Sequence, residues 1–371
     1  MSELDRRHFL MTAGLAAHAT FAQTASQRVG TAVIGTGNRG SYLLQGVLEH
    51  PEAKVTAVCD IKPDRLDKAA TLAGRDNPKA LRDWRAVLDR PDVEAVYIAT
   101  PPHLHAEMAI AALKAGKHVY CEKPIGITPA SVRDIVKAAK STNKVFQAGQ
   151  QMRSFRQIGE AIRKIREGAI GDVLMVKAQR HQGADLPHDG PSGDWYFDVK
   201  KSGGYLIEMS VHNLDVCNWV IGSHPVKASG FGGIALYKND PPGRTIFDHG
   251  SITFEYANGI KMSFTQNVFH PRGLPAGGQY VYVYGSKGAV DLLGGTTFYP
   301  IDSKGEPKEL APKQEEPRHA HITAFYNAIL KGTPSPADIT VGATAALTAI
   351  MGHEAMSKGR VVTWSELGVE L

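Results

Sequence analysis

The pattern of apolar and polar positions changes character near residue 150. From Arg28 to about Gln150, short apolar runs alternate with stretches whose apolar residues recur at helical spacing. Strands are predicted at residues 29–34, 55–59, 95–99, 118–121 and 145–148, and helices at 63–72, 84–88, 105–115 and 129–141. Strand and helix in alternation predict a parallel sheet covered on both faces. Beyond residue 151, period-two segments recur at 173–179, 227–236, 245–256, 261–268, 280–284 and 289–293. The turn signals Ala257-Asn258-Gly259 and Gly285-Ser286-Lys287-Gly288 join two pairs of them as hairpins, so this half is predicted to be a mainly antiparallel sheet. Its outer face is left to cover the first domain, a second copy, or both. Helices are predicted at 155–167, 205–220, 321–330 and 341–357, the last returning to the first domain, and residues 181–201 read as a long loop.

The first strand runs into Gly35-Thr36-Gly37-Asn38-Arg39-Gly40 and then a helix. In such a turn Gly35 makes the bend, Gly37 lets a pyrophosphate approach the backbone and Gly40 lets helix pack on strand, with the phosphates at the helix N-terminus. The second strand ends in Asp60, 20 residues after Gly40, where a carboxylate accepts from a ribose 2′-hydroxyl. The assembled pattern predicts a Rossmann nucleotide-binding domain over residues 28–150, followed by an α+β domain over 151–371. The carboxylate favours NAD over NADP, while Lys62 and Arg65 close behind it leave NADP open.

At 371 residues, with 43% hydrophobic and 21% charged side chains, the chain is long enough for two cores and lacks the composition of a disordered or membrane protein. The net charge of +5 is spread without a basic block, so a nucleic-acid surface is not indicated. Cys59, Cys121 and Cys217 have no metal-ligand spacing and read as buried thiols; no metal is predicted. Residues 1–27 contain Asp5-Arg6-Arg7-His8-Phe9-Leu10 and a mildly apolar run too weak to span a bilayer, which resembles a twin-arginine export signal. The expectation is a periplasmic or otherwise exported protein that engages the twin-arginine machinery, a route for folded cargo that lets a cofactor load first.

Two strand ends of the first domain carry unusual residues. In Thr100-Pro101-Pro102-His103-Leu104-His105 the prolines stiffen the loop, and Thr100, Pro101, His103 and His105 are candidate cofactor contacts; a water-facing cap histidine is the competing reading of His105. In Cys121-Glu122-Lys123-Pro124, Glu122 is a further cofactor candidate, and Lys123 can donate to a substrate oxygen. Along the predicted helix at 205–220, Glu208, His212 and Asp215 fall at i, i+4 and i+7 and form one polar stripe. A neutral imidazole there can remove a hydroxyl proton as hydride leaves the carbon. Arg153, His181, Asp194, Trp195 and Tyr196 are expected to rim a substrate cleft, where an aromatic beside polar groups suits the mixed faces of a sugar.

The glycine turn, Asp60, the run TPPHLHAEMAIAALKAGK from Thr100 to Lys117, Glu122-Lys123-Pro124, and Gly203-Gly204 through His212 and Asp215 together resemble the Gfo/Idh/MocA oxidoreductases. The resemblance covers nearly the whole chain after the leader, and the Glu-Lys-Pro element is its most specific part. It implies hydride transfer by tightly held NAD or NADP to or from a sugar or cyclic polyol, with Lys123 assisting catalysis and His212 as general base. Glu208 stands where many members have Asp, so its longer arm leaves its role open. The leader resembles that of exported members such as glucose-fructose oxidoreductase, and family habit implies a dimer or tetramer built through the open sheet. A second chemistry seen in the family, glycoside cleavage by transient oxidation, elimination and reduction, shares the hydride step and remains the alternative.

Overall fold

The structure is a computed structural model, and it describes residues 28–183, 195–274, 277–302 and 304–371. The predicted leader and Asp194 lie outside the described residues.

Six parallel strands build the first sheet: β1 (Val29–Ile34), β2 (Ala53–Cys59), β3 (Lys79–Leu81), β4 (Ala95–Ile98), β5 (His118–Cys121) and β6 (Phe146–Ala148). Their order is β3-β2-β1-β4-β5-β6, so the chain reverses direction across the sheet between β1 and β4, the place where such folds open a ligand crevice. β3 escapes a periodicity reading because it is only three residues long and none of them is fully buried. The crossover helices are α1 (Asn38–Glu49), α2 (Pro63–Leu72), α3 (Trp84–Leu88), α4 (His105–Lys114) and α5 (Pro129–Lys140). α5 starts at a capping box in which Thr128 accepts from the Ser131 amide and the Ser131 hydroxyl accepts from the Thr128 amide.

The second sheet has nine strands in the order β14-β13-β12-β11-β7-β10-β9-β8-β15. They are β7 (Val173–His181), β8 (Pro225–Gly233), β9 (His249–Tyr256), β10 (Lys261–Asn267), β11 (Gln279–Gly285), β12 (Gly288–Asp291), β13 (Thr297–Pro300), β14 (Lys308–Glu309) and β15 (Val362–Thr363). The predicted hairpins form β9–β10 and β11–β12. Only the central β7–β10 pairing is parallel. One face, with Val176, Phe254, Met262, Phe264 and Val283, is buried under helices; the other carries Tyr282, Tyr284, Ser251, Thr253 and Lys261.

The remaining helices are α6 (Arg156–Arg166), α7 (Val199–Ser202), α8 (Tyr205–Glu208), α9 (Val211–Ile221), α10 (Ala320–Lys331) and α11 (Ile339–Lys358). The two C-terminal helices join the halves. On α10, Phe325 meets the rings of Tyr97 and Tyr120 edge-on at 5.3 and 5.9 Å, and Tyr326 bonds Thr31 at 2.9 Å. α11 approaches β6 so closely that a side chain at Gly342 would meet Ala148 at 2.7 Å. The prediction assigned the return to the last helix alone; α10 makes it as well.

The single helix expected over 205–220 is two. α8 ends at Glu208, Met209 and Ser210 break the α-helical run, and α9 begins at Val211. The i, i+4, i+7 stripe is thereby interrupted, and Asp215 does not share a face with Glu208.

Candidate functional site

The strand ends of the first sheet and the start of α9 enclose a cavity of about 600 Å³. Its floor is the glycine turn. Gly35 has φ +82°, and a Cβ there would lie 2.7 Å from the Ala99 carbonyl oxygen, so glycine alone fits. A Cβ on Gly40 would come within 1.7 Å of the Gly35 carbonyl oxygen, which confirms its packing task and keeps it off the cavity wall. Gly37, Asn38 and Arg39 line the cavity, and no side chain among the described residues caps the N-terminus of α1. Its first amides therefore have no side-chain acceptor, and together with the helix dipole they suit a phosphate.

Asp60 lies at the same wall, buried, and its carboxylate organises the turn. Oδ2 accepts from the Thr36 amide at 2.7 Å and its hydroxyl at 3.2 Å, and Oδ1 accepts from the Lys62 amide at 2.9 Å. Ile61, Lys62, Arg65, Arg82 and Trp84 continue the lining beyond it. An uncapped helix start, a glycine cradle and a carboxylate one strand away fit a dinucleotide.

At the other end are the residues suited to proton chemistry. The Lys123 ammonium donates to the Glu208 backbone carbonyl at 2.5 Å and to Glu208 Oε1 at 2.9 Å. An ammonium has three donors, so one N–H is left for a bound oxygen. Among the described residues Glu208 Oε2, which is buried, has no partner, and neither has the buried Nδ1 of His212, which also lines the cavity. Burial, and then the positive charges of Lys123, Arg180 and Arg39, hold the His212 imidazole well below its ordinary value, so the ring is unprotonated at neutral pH. Glu122 ties the two ends together: Oε1 accepts from Arg39 Nε at 2.7 Å and Oε2 from the Lys123 amide at 3.2 Å. Arg39 also donates to Gln151 at 2.6 Å.

Several predicted residues join this cavity as expected: Thr100, Pro101, Glu122, Trp195 and Tyr196 all line it. His105 lines it too, but not as a water-facing cap. Its ring is buried, with Nδ1 2.7 Å from the Pro124 carbonyl oxygen and Nε2 2.7 Å from that of Thr100, so it ties together the two strand-end loops. Three predicted contacts stand elsewhere. His103 is exposed and faces Asp198 and Lys201, because the short 3₁₀ turn at Pro102–Leu104 rotates it outward. Arg153 is held by both oxygens of Asp215, at 2.9 and 2.7 Å, and does not line the cavity. His181 ends β7 against Thr265 at 3.0 Å and His270 at 3.3 Å, and burial, then His270, lowers its pKa to about 4. Gln151, Met209, Met108, Arg82 and Trp84 line the cavity without having been predicted. Gln151 had a signal, since it directly follows the β6 strand-end loop; for the others the sequence offers no sign beyond proximity to strand ends.

The pattern of the family named Oxidoreductase family, NAD-binding Rossmann fold, matches residues 29–150, and that of the GFO/IDH/MocA C-terminal domain matches residues 158–291. The chain belongs to the Gfo/Idh/MocA oxidoreductases. It is 30% identical to the 2,7-anhydro-N-acetylneuraminate hydratase of Escherichia coli over 81% of this chain and 79% of that protein. To the levoglucosan dehydrogenase of Pseudarthrobacter phenanthrenivorans it is 35% identical, over 46% of this chain and 43% of the relative. A solved levoglucosan dehydrogenase in complex with NADH and levoglucosan superposes with a TM-score of 0.76 at 22% identity, covering 91% of this chain and 99% of the other, which shows the shared fold. This Gfo/Idh/MocA chain is thus an NAD-binding oxidoreductase, and the glycine turn, Asp60 and the start of α1 fall within the stretch matched as its NAD-binding domain.

Proposed function

We propose that this enzyme oxidises a secondary hydroxyl of a sugar or cyclic polyol, with Lys123 and His212 acting on the same oxygen. The observation that carries the reading is that the two side chains, with Glu208, line one cavity whose opposite end is the glycine turn and Asp60. NAD, when bound, supplies the hydride acceptor. His212, neutral through burial, takes the hydroxyl proton, and the remaining N–H of Lys123 stabilises the charge that develops on that oxygen. Glu208 keeps Lys123 aimed, and its unpaired Oε2 accepts from a neighbouring hydroxyl of the substrate. Trp195 and the buried Tyr196 supply an apolar wall for the C–H face of a ring. The balance is one C–H hydride to the nicotinamide and one O–H proton to His212, leaving a ketone.

The test is a panel of free sugars, anhydrosugars and inositols with NAD, read by NADH fluorescence, after denaturation of the purified protein to identify any nucleotide it carries. Reduction of NAD by one polyol class, abolished in Lys123→Met, supports the reading; no NADH from any of them, with nucleotide binding confirmed, overturns it. The hydratase relative favours a second reading, in which the ketone only acidifies a neighbouring C–H, a leaving group departs with that proton, water adds to the resulting double bond and hydride returns. That course releases the leaving group without net NADH.

Our reading extends to location and assembly. The Arg6-Arg7 leader directs export, so replacing both with lysine should retain the protein in the cytoplasm on fractionation. The tyrosines of β11 on the open sheet face support pairing with a second copy, which sedimentation measures.

A further inference from the structure

We propose that the turn Gln151–Ser154 is a strap fastened at both ends that sets His212 in place over the reaction centre, which makes Arg153 and Asp215 positioning residues for proton transfer. The proposal rests on the reading of His212 as the base. A histidine that works as a base is ordinarily aimed by a hydrogen bond to its second ring nitrogen. Here Nδ1 of His212 is buried and has no such bond among the described residues, so its aim has to come from the helix beneath it. His212 sits in the first turn of α9, directly after the break at Met209 and Ser210, and continuity with α8 does not fix it. The side-chain bonds beside it are long: Ser210 to Gln266 at 3.4 Å and Asn213 to the Gln179 carbonyl at 3.3 Å.

The strong tether is Asp215, three residues after His212. Its carboxylate is buried, and Arg153 grips both oxygens at 2.9 and 2.7 Å while its guanidinium lies 4.7 Å from the ring of Trp219 on the same helix. Planar, two-bonded and charge-assisted, this contact fixes angle as well as distance. At the other end of the turn, Gln151 accepts from Arg39 at 2.6 Å, and Arg39 holds Glu122, whose second oxygen accepts from the Lys123 amide. The strap thereby references the helix of His212 to the loop of Lys123.

Kinetics and NMR test this on the full-length enzyme. Arg153→Met is expected to lower kcat about 100-fold, the loss that a displacement of about 1 Å produces, while NADH affinity stays at the parent value. Asp215→Asn, which keeps the shape of the buried side chain, should do the same, and the double variant should be no worse than the weaker single one. Arg153→Lys should recover only part of the rate, since a point charge cannot make two parallel bonds. The ring ¹H–¹³C signals of His212, identified by their absence in His212→Ala, should move in both single variants with NADH bound. Unmoved His212 signals overturn the proposal, as does a kcat within twofold of the parent or a parallel loss of kcat and NADH affinity. If Arg153→Met does not fold, Asp215→Asn decides. A parent without turnover would sink the proposed reaction, while the NMR comparison would still judge the strap.

Discussion

Lys123 and Glu208, 85 residues apart in the chain, meet at 2.9 Å across the junction of the two sheets, and the Lys123 ammonium also takes the Glu208 backbone carbonyl. This pair fixes the height of the ammonium in the cavity and uses two of its three protons. Glu208→Gln keeps the size of the side chain but weakens the hold on Lys123, whereas Lys123→Met removes the donor. Lys123→Met should lower kcat by about 100- to 10,000-fold and Glu208→Gln by less, because the backbone carbonyl still holds the ammonium. NADH affinity should persist in both. Steady-state kinetics with a fluorescence titration of NADH checks the pair, and an unchanged kcat in Lys123→Met would remove Lys123 from the chemistry.

For His212 the prediction concerns pH. Its imidazole is held well below the ordinary value, first by burial and then by Lys123, so it stays neutral as the pH falls past 6.5. The acid limb of kcat should therefore lie below pH 6.5 in the parent. Removing a nearby positive charge lets the ring protonate more readily, so whatever rate remains in Lys123→Met should fall off at a higher pH than in the parent. A parent profile already half lost above pH 6.5 would contradict a buried neutral base.

The sequence revealed one half of this site better than the other. In the first half each functional residue follows a strand whose apolar run is buried on both sides, so a local pattern places Gly35, Asp60, Thr100 and Lys123 at strand ends in advance. Glu208 and His212 were legible as residues but not as geometry: helical periodicity continues unbroken through 205–220, and the break at Met209 and Ser210 answers to tertiary packing. The Arg153–Asp215 pair is equally hidden in the sequence, because its members lie 62 residues apart and regular helical spacing would put Asp215 on the face of Glu208. His103 stands between the cavity-lining Pro102 and Leu104, and His181 ends β7, yet one residue of turn or strand is enough to aim a side chain away from the cavity.

Cofactor choice turns on Asp60, which lines the cavity together with Lys62, Arg65 and Arg82. The carboxylate accepts from a ribose hydroxyl and repels a phosphate in the same place, while the cations act the other way. Asp60→Ala should weaken NADH by about tenfold or more, as loss of a hydrogen bond to a charged group does, and shift the NADH-to-NADPH affinity ratio toward NADPH. Part of the loss will be common to both nucleotides, since the Thr36 amide loses its acceptor. The ratio separates the effects: if it does not move in parallel titrations, Asp60 only shapes the turn.

Stability should itself depend on pH through the histidines. Burial is the leading cause that lowers His105, His118, His181, His212 and His321, and it brings His118, His181 and His321 to about 4. In the unfolded chain these rings return to about 6.5. As pH falls below that value, the unfolded state takes up protons that the native state refuses, and the sign is fixed: stability is lost on acidification and regained as pH rises. Tm should fall steadily between pH 7 and 5. His118 lies at the start of β5, away from the cavity lining, with its Nδ1 accepting from the Val145 amide at 3.0 Å, a bond only the unprotonated nitrogen can make. His118→Asn should make the pH dependence shallower by about one proton in the linkage slope, measured by denaturant unfolding at several pH values. An unchanged slope would mean that His118 titrates alike in both states.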